Sequence, residues 1–275
     1  MNIKNNLDKL YLKYNKKRYV HPDPLEFLYN YRDIRDREIA GFIASSLAYG
    51  RVAQILNSVS GVLDKMGSSP YAFLKNSTLS SLGKTCGGFK HRFATDENLS
   101  AMLTGIKYVL EEYGSLYACF LKGVGKKDET VLNGLEFFTG KIISGCGGTP
   151  GHLIPLVTKG SACKRLNLYL RWMVRKDDVD PGGWEKIPPS MLIIPLDVHM
   201  HRISRLIGFT DRKQADMSTA LEITSCFRKL VPKDPVKYDF ALTRFGIRSD
   251  MSIDGFFKNV RLRRNVADRM VFTEL

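Results

Sequence analysis

The chain has 275 residues, 44% of them hydrophobic and 11% aromatic, enough apolar material for one large domain or two small ones packed together. Lys and Arg number 42 against 28 Asp and Glu, a net charge of +14 that makes nucleic acid the first partner to consider and an anionic membrane the second. No apolar run is long enough to cross a bilayer and MNIKNNLDKL is not organised as a signal peptide; the five cysteines are scattered without a Cys-x-x-Cys pair, which argues against a zinc site or disulfide framework and points to reduced thiols in a cytoplasm.

In chain order, LDKLYLKYNKKRYV reads as a short amphipathic helix with a basic end. Asp23, Pro24 and Glu26 then supply a cap, a first-turn proline and a reciprocal acid for a helix in LEFLYNYR. Within 36–49, Ile39, Phe42, Ile43 and Leu47 recur at helical spacing; Gly50 stops that helix and VAQILNSVSGVLDKMG makes another. A short helix starts at Ser69-Pro70. From Gly87 to Phe93 a connection interleaves cationic and aromatic side chains, which suits phosphate contact with base stacking and equally suits a loop burying two phenylalanines.

Residues 96–113 form an amphipathic helix with Gly114 just past its end, followed by helices at 115–122 and 129–143. Ser144 to Gly151 is the most linker-like stretch and leads into a helix at LIPLV. Helices resume after Gly208, at 218–230 and in VKYDFALTRFG, and the tail GFFKNVRLRRNVADR adds positive charge. Two-residue alternation is nearly absent, so the predicted fold class is all-α.

Two residues in this order are out of place. Lys164 falls in the first turn of a helix that starts at Cys163, where the exposed N–H groups amount to roughly +0.5 charge and normally attract acids. Arg165 adds a second cation there, and most of Leu166 to Val174 is apolar. A positive helix end and partial burial both disfavour an ammonium, so Lys164 is expected to have a lowered pKa and to act as a nucleophile. Asp197 ends the apolar run MLIIPL, which belongs in the interior, and begins the helix-like VHMHRISRLIG. As an N-cap it would need no further role; paired with a helix-start lysine, it has one.

GSACKRLNLYL resembles the hairpin-plus-lysine segment of the helix-hairpin-helix DNA glycosylases, and PLDVHMHRISR is similar to the segment that carries their catalytic aspartate. The Asp-Val-His-Met run resembles the 8-oxoguanine DNA glycosylases, and GSACKRLN and LYLRWMVR resemble a bacterial branch of the superfamily. The hairpin keeps one glycine where the family usually has two. Lys164 and Asp197 stand 33 residues apart, longer than usual, with 175–190 as the inserted loop. The specific match covers about a sixth of the chain.

The resemblance implies a two-lobed fold with the active site in the cleft between lobes. The chain would form a single unit over 1–275, with 1–114 and 211–275 mostly in one lobe and 115–210 in the other. It implies a bifunctional glycosylase/AP lyase that flips out an oxidised purine, 8-oxoguanine foremost, and excises it through a lysine Schiff base. Lys164 would be the nucleophile and Asp197 the acid. Lys159, Gly160, Ser161 and Ala162 of the hairpin, with Arg165, His199 and Arg202, would hold the DNA backbone. Around the base Trp184 is expected first, then Phe93, Tyr49 and Trp172, with Asn167 and Arg171 on the same helix as Lys164; Trp172 equally fits a core, and Asn167 and Arg171 a structural or solvated role. The partner would be duplex DNA with a damaged base, bound by a monomer.

No metal and no cofactor is expected. Only Cys226 follows Asp197, which excludes the four-cysteine iron–sulfur cluster of some relatives. His199 and His201 are two apart and point to different sides of a helix, whereas Asp197 and His201 share a face and could hydrogen-bond. Asp177, Asp178 and Asp180 lack the remaining spacing of an EF-hand and read as a solvated loop. GVGKKDET lacks the second glycine and Lys-Ser/Thr of a phosphate-binding loop. The other readings are a non-enzymatic DNA- or RNA-binding protein on the same scaffold, and a helical enzyme on RNA or a small anion with Lys164 as an anion ligand.

Overall fold

The computed structural model describes residues 3–247. The chain is all-α: among the described residues the only strands are the antiparallel pair Lys90–His91 (β1) and Ala94–Thr95 (β2). No described helix is long and apolar enough to cross a membrane.

The helices follow from local caps and apolar spacing. After α1 (Ile3–Tyr14), Asp23 caps Pro24–Asn30 by accepting from the Leu25 N–H at 3.0 Å. Where LEFLYNYR predicts an α-helix, this segment is a 3-10 helix, whose three-residue turn puts buried Leu25 and Leu28 on one side. The helix α2 (Ile34–Ser46) is buried at every residue from Glu38 to Ser46, so it sits at the centre rather than on a face. The helices α3 (Val52–Met66), α4 (Pro70–Asn76) and α5 (Leu79–Cys86) lead to the β-hairpin. A reciprocal cap between Thr95 and Asn98 then starts α6 (Asp96–Tyr113), and Gly114 ends it with a left-handed φ of 80°.

Next come α7 (Leu116–Lys122) and α8 (Leu132–Ser144). A Cβ on Gly105 would lie 2.3 Å from the Ile142 carbonyl oxygen, so only glycine lets α6 and α8 approach this closely. Within the linker-like 144–151, Gly147 to Thr149 are exposed, and the stretch is anchored at Cys146, which is buried with its Sγ on the Ile142 carbonyl. LIPLV is not a helix, because Pro155 holds Ile154 extended between the 3-10 turns Gly151–Leu153 and Val157–Lys159. The last helices are α9 (Lys164–Val174), α10 (Val198–Leu206), α11 (Met217–Leu230) and α12 (Asp239–Ile247). The basic tail after VKYDFALTRFG lies outside the described residues.

Helix α2 packs on α9, α3, α4 and α7, and α12 packs on both α1 and α10. Asp8 of α1 accepts from Lys237 Nζ and Tyr238 Oη, each at 2.8 Å, so the first and last described helices are clasped together.

The segment 175–190 is irregular, and of its three clustered aspartates only Asp178 is solvated, 62% exposed beside Lys16. Asp180 is fully buried and pairs with Arg171 at 3.2 Å and with Arg175. Burial works against the charge of Arg171, but Asp180, Asp239 and Asp23 outweigh it and hold its pKa up. Trp184, from the same segment, donates its indole N–H to Glu38 of α2 at 3.1 Å, stacks on Tyr117 at 5.2 Å and meets Tyr169 edge-on.

Candidate active site

The turn between the 3-10 helix at Val157–Lys159 and α9 is shaped by two left-handed residues. Gly160 has φ 73°, and its carbonyl accepts from the Met217 N–H at 3.0 Å, tying the turn to the start of α11. Cys163 has φ 46° without being glycine, a conformation that costs energy and that burial of its side chain holds in place. Asn167 Nδ2 reaches back to the Ala162 carbonyl at 3.0 Å and braces the turn from within α9. No side chain caps α9, so Lys164 emerges at a bare helix start.

The apolar run from Met191 to Leu196 is buried, as its composition predicts, and delivers Asp197 to the start of α10. Oδ1 of Asp197 accepts from the His199 and Met200 N–H groups at 3.0 and 2.9 Å. That is the N-cap, and it uses only one carboxylate oxygen. Oδ2 faces Lys164 Nζ at 3.9 Å. Both side chains are partly exposed, Lys164 at 32% and Asp197 at 23%, so the pair meets in a hollow open to solvent.

That hollow has a volume of about 660 Å³. Lys164, Arg165, Asp197, His199 and Ser161 give it a polar side; Ala48, Val52, Ile55, Leu168 and Leu196 give it an apolar one. Tyr49 also lines it. The Tyr49 hydroxyl donates to the His91 carbonyl at 3.1 Å, and His91 Nε2 lies 3.0 Å from the Tyr49 carbonyl. A carbonyl only accepts, so Nε2 carries the ring proton and Nδ1 accepts from the Ser58 hydroxyl at 2.8 Å. Burial keeps the His91 pKa below its ordinary value, in line with this neutral form.

Several residues expected at the site are elsewhere. Trp184 and Trp172 are fully buried in the core and line no cleft. Arg171 is buried in its ion pairs, and Asn167 serves the turn, so neither faces the hollow despite sharing a helix with Lys164. Arg165 reaches the hollow, but its guanidinium donates to the Ser46 and His152 carbonyls and lies over the Tyr49 ring at 4.9 Å. It braces the wall and covers one face of Tyr49 rather than standing free for a phosphate. Phe93 is 68% exposed at the tip of the β-hairpin, outside the hollow, while His91 of the same segment is buried.

Of the expected backbone-holding groups, Lys159, Gly160, Ser161, His199 and Arg202 are exposed. Ala162 is buried, and the Lys159 and Gly160 N–H groups already donate to Leu156 and Val157, so these donors are committed within the turn. His201 bonds the Arg212 carbonyl at 3.0 Å rather than Asp197. Among the described residues no group of three or more His, Cys, Asp or Glu could hold a metal ion.

One lining residue escaped the sequence. Asp23 stands on the wall of the hollow between Pro22 and Pro24, and Arg244 of α12 pairs with it at 2.5 Å. Its N-cap signature was legible; its place in the same hollow as Lys164 depends on packing between residues more than 140 positions apart.

A family model described as "Protein of unknown function (DUF2400)" matches residues 23–248 of this chain. No curated protein and no solved structure matches it. The matched stretch takes in Asp23, Lys164, Asp197 and nearly all of the described helices.

Proposed function

We propose that this chain, which belongs to the DUF2400 family, is a bifunctional DNA glycosylase/AP lyase with the two-lobed helix-hairpin-helix architecture, acting on an oxidised purine, 8-oxoguanine foremost. The observation that carries the proposal is the pairing of Lys164 Nζ with Asp197 Oδ2 at 3.9 Å in a hollow large enough for an extruded base.

The duplex hides the sugar C1′, so the nucleotide must be flipped out at a cost of a few kcal/mol. The exposed turn at Lys159–Ser161, with His199 and Arg202, presents cationic and polar groups to the phosphates beside the flipped nucleotide. The Lys164 amine, unprotonated at this step, forms a bond to C1′ as the bond from C1′ to the base breaks and the base leaves with the electron pair. Asp197 Oδ2 stabilises the cationic sugar and receives the proton from the nitrogen. The nitrogen lone pair then forms a C1′=N bond as the C1′–O4′ bond breaks and O4′ takes up the proton held by Asp197; the resulting Schiff base loses a C2′ proton, and the 3′ phosphate departs by β-elimination. Water then releases the lysine.

Borohydride reduces the Schiff base and should leave a covalent protein–DNA adduct with a lesion-bearing duplex. Lys164→Ala and Lys164→Gln should yield none, and Asp197→Asn should keep binding while losing the chemistry. With a net charge of +14, binding itself should weaken steeply as salt rises. Salt-sensitive binding without an adduct on any lesion or abasic site would instead identify a non-enzymatic nucleic-acid-binding protein.

A further inference from the structure

The geometry points to Asp23 as the residue that reads the extruded base, accepting hydrogen bonds from the N1–H and 2-amino groups of an oxidised guanine. This inference rests on the glycosylase reading above and assigns the specificity of the same hollow.

Asp23 lines the hollow that contains Lys164 and Asp197, yet it is only 7% exposed. Its carboxylate is held at both oxygens. Oδ1 accepts from the Leu25 N–H at 3.0 Å, and Oδ2 accepts from the buried Arg244 guanidinium at 2.5 Å. An ionised carboxylate has about four acceptor positions, and two remain on Asp23 for which no described donor supplies a bond. Pro22 and Pro24 flank it in the chain, and with Ala48, Val52 and Ile55 they give the hollow apolar surface. A rigid, doubly anchored acceptor in an apolar wall discriminates by chemistry: a ring that offers donors is accepted, and one that offers lone pairs is repelled.

Guanine and its oxidised forms carry two adjacent donors, N1–H and the 2-amino group, on one edge. Two carboxylate oxygens match that spacing. Adenine places the N1 lone pair there, cytosine the N3 lone pair, and thymine a single N–H flanked by carbonyls. Asp23 therefore selects the guanine ring, while Lys164 and Asp197 carry the bond-breaking.

The test compares borohydride trapping of the full-length protein on three duplexes: one with 8-oxoguanine, one with 8-oxohypoxanthine, which lacks only the 2-amino group, and one with an abasic site. The wild-type protein should trap 8-oxohypoxanthine about tenfold to a hundredfold more slowly than 8-oxoguanine, the loss expected for one hydrogen bond to a charged group. Asp23→Asn keeps a side-chain oxygen for the Leu25 cap but turns an amide N–H₂ toward the base. Its 8-oxoguanine trapping should slow by a similar factor relative to its own abasic-site trapping, which reports any general loss from leaving Arg244 without its carboxylate. Equal wild-type rates on the two bases would overturn the assignment without any variant. So would an Asp23→Asn protein that slows on the abasic duplex as much as on the lesion, since that marks a structural role. A wild-type protein that traps none of the three duplexes overturns the glycosylase reading itself, and Asp23 falls with it.

Discussion

Asp197 holds two roles on two oxygens, and they can be separated. Oδ1 caps α10 and Oδ2 faces Lys164. Asparagine is as good an N-cap as aspartate, whereas alanine leaves the first-turn N–H groups bare at a cost of about 1 kcal/mol. Asp197→Asn should therefore unfold in urea near the wild-type midpoint and Asp197→Ala distinctly below it, with adduct formation lost in both. An Asp197→Ala protein as stable as wild type would show that the cap contributes nothing. The pair was legible in the sequence because each member breaks a local rule, a cation at a positive helix end and an acid at the end of an apolar run. Trp184 was not, because nothing near it in sequence announces that Glu38, 146 positions away, accepts its indole N–H.

At the scale of elements, α2 organises the interior, and Glu38 is its one buried acid. Its carboxylate accepts from the Leu116 and Tyr117 N–H groups at 2.7 and 3.0 Å, capping α7, and from Trp184. Burial pushes its pKa up to about 7 from the ordinary 4.5, against the pull of these donors. Between those values the folded protein holds a proton that the unfolded chain has released. Stability contributed by Glu38 is thus full below pH 4.5, falls as pH rises through the window and levels off above about 7, a change of about 3 kcal/mol at most. Urea midpoints measured across that range should fall with pH in the wild type, and the slope should shrink in Glu38→Gln. A variant with the wild-type slope would assign the pH dependence to another group. The helices themselves were legible from caps and spacing. The 3-10 winding at Pro24–Asn30 and the turns around Pro155 were not, since apolar spacing over so few residues does not separate one helix type from another.

At the scale of the molecule, residues far apart in sequence are joined by buried charge. Arg171 of α9 meets Asp180 and Asp239, Arg175 meets Asp177, Asp180 and Asp234, and Arg244 meets Asp23. Removing one member of such a network strands its partners, which is why these ions act as positional constraints between elements rather than as a simple gain in stability. Composition indicated a core; it could not indicate that Asp177 and Asp180 would be folded inward while Asp178 stays exposed, because that depends on Arg171 of α9 and Arg175 just past its end.

The chain's two tryptophans, Trp172 and Trp184, are both fully buried. Its intrinsic emission is therefore that of indoles shielded from water, centred at short wavelength and moving red only as the interior opens. The native fluorescence is thus a clean optical record of unfolding.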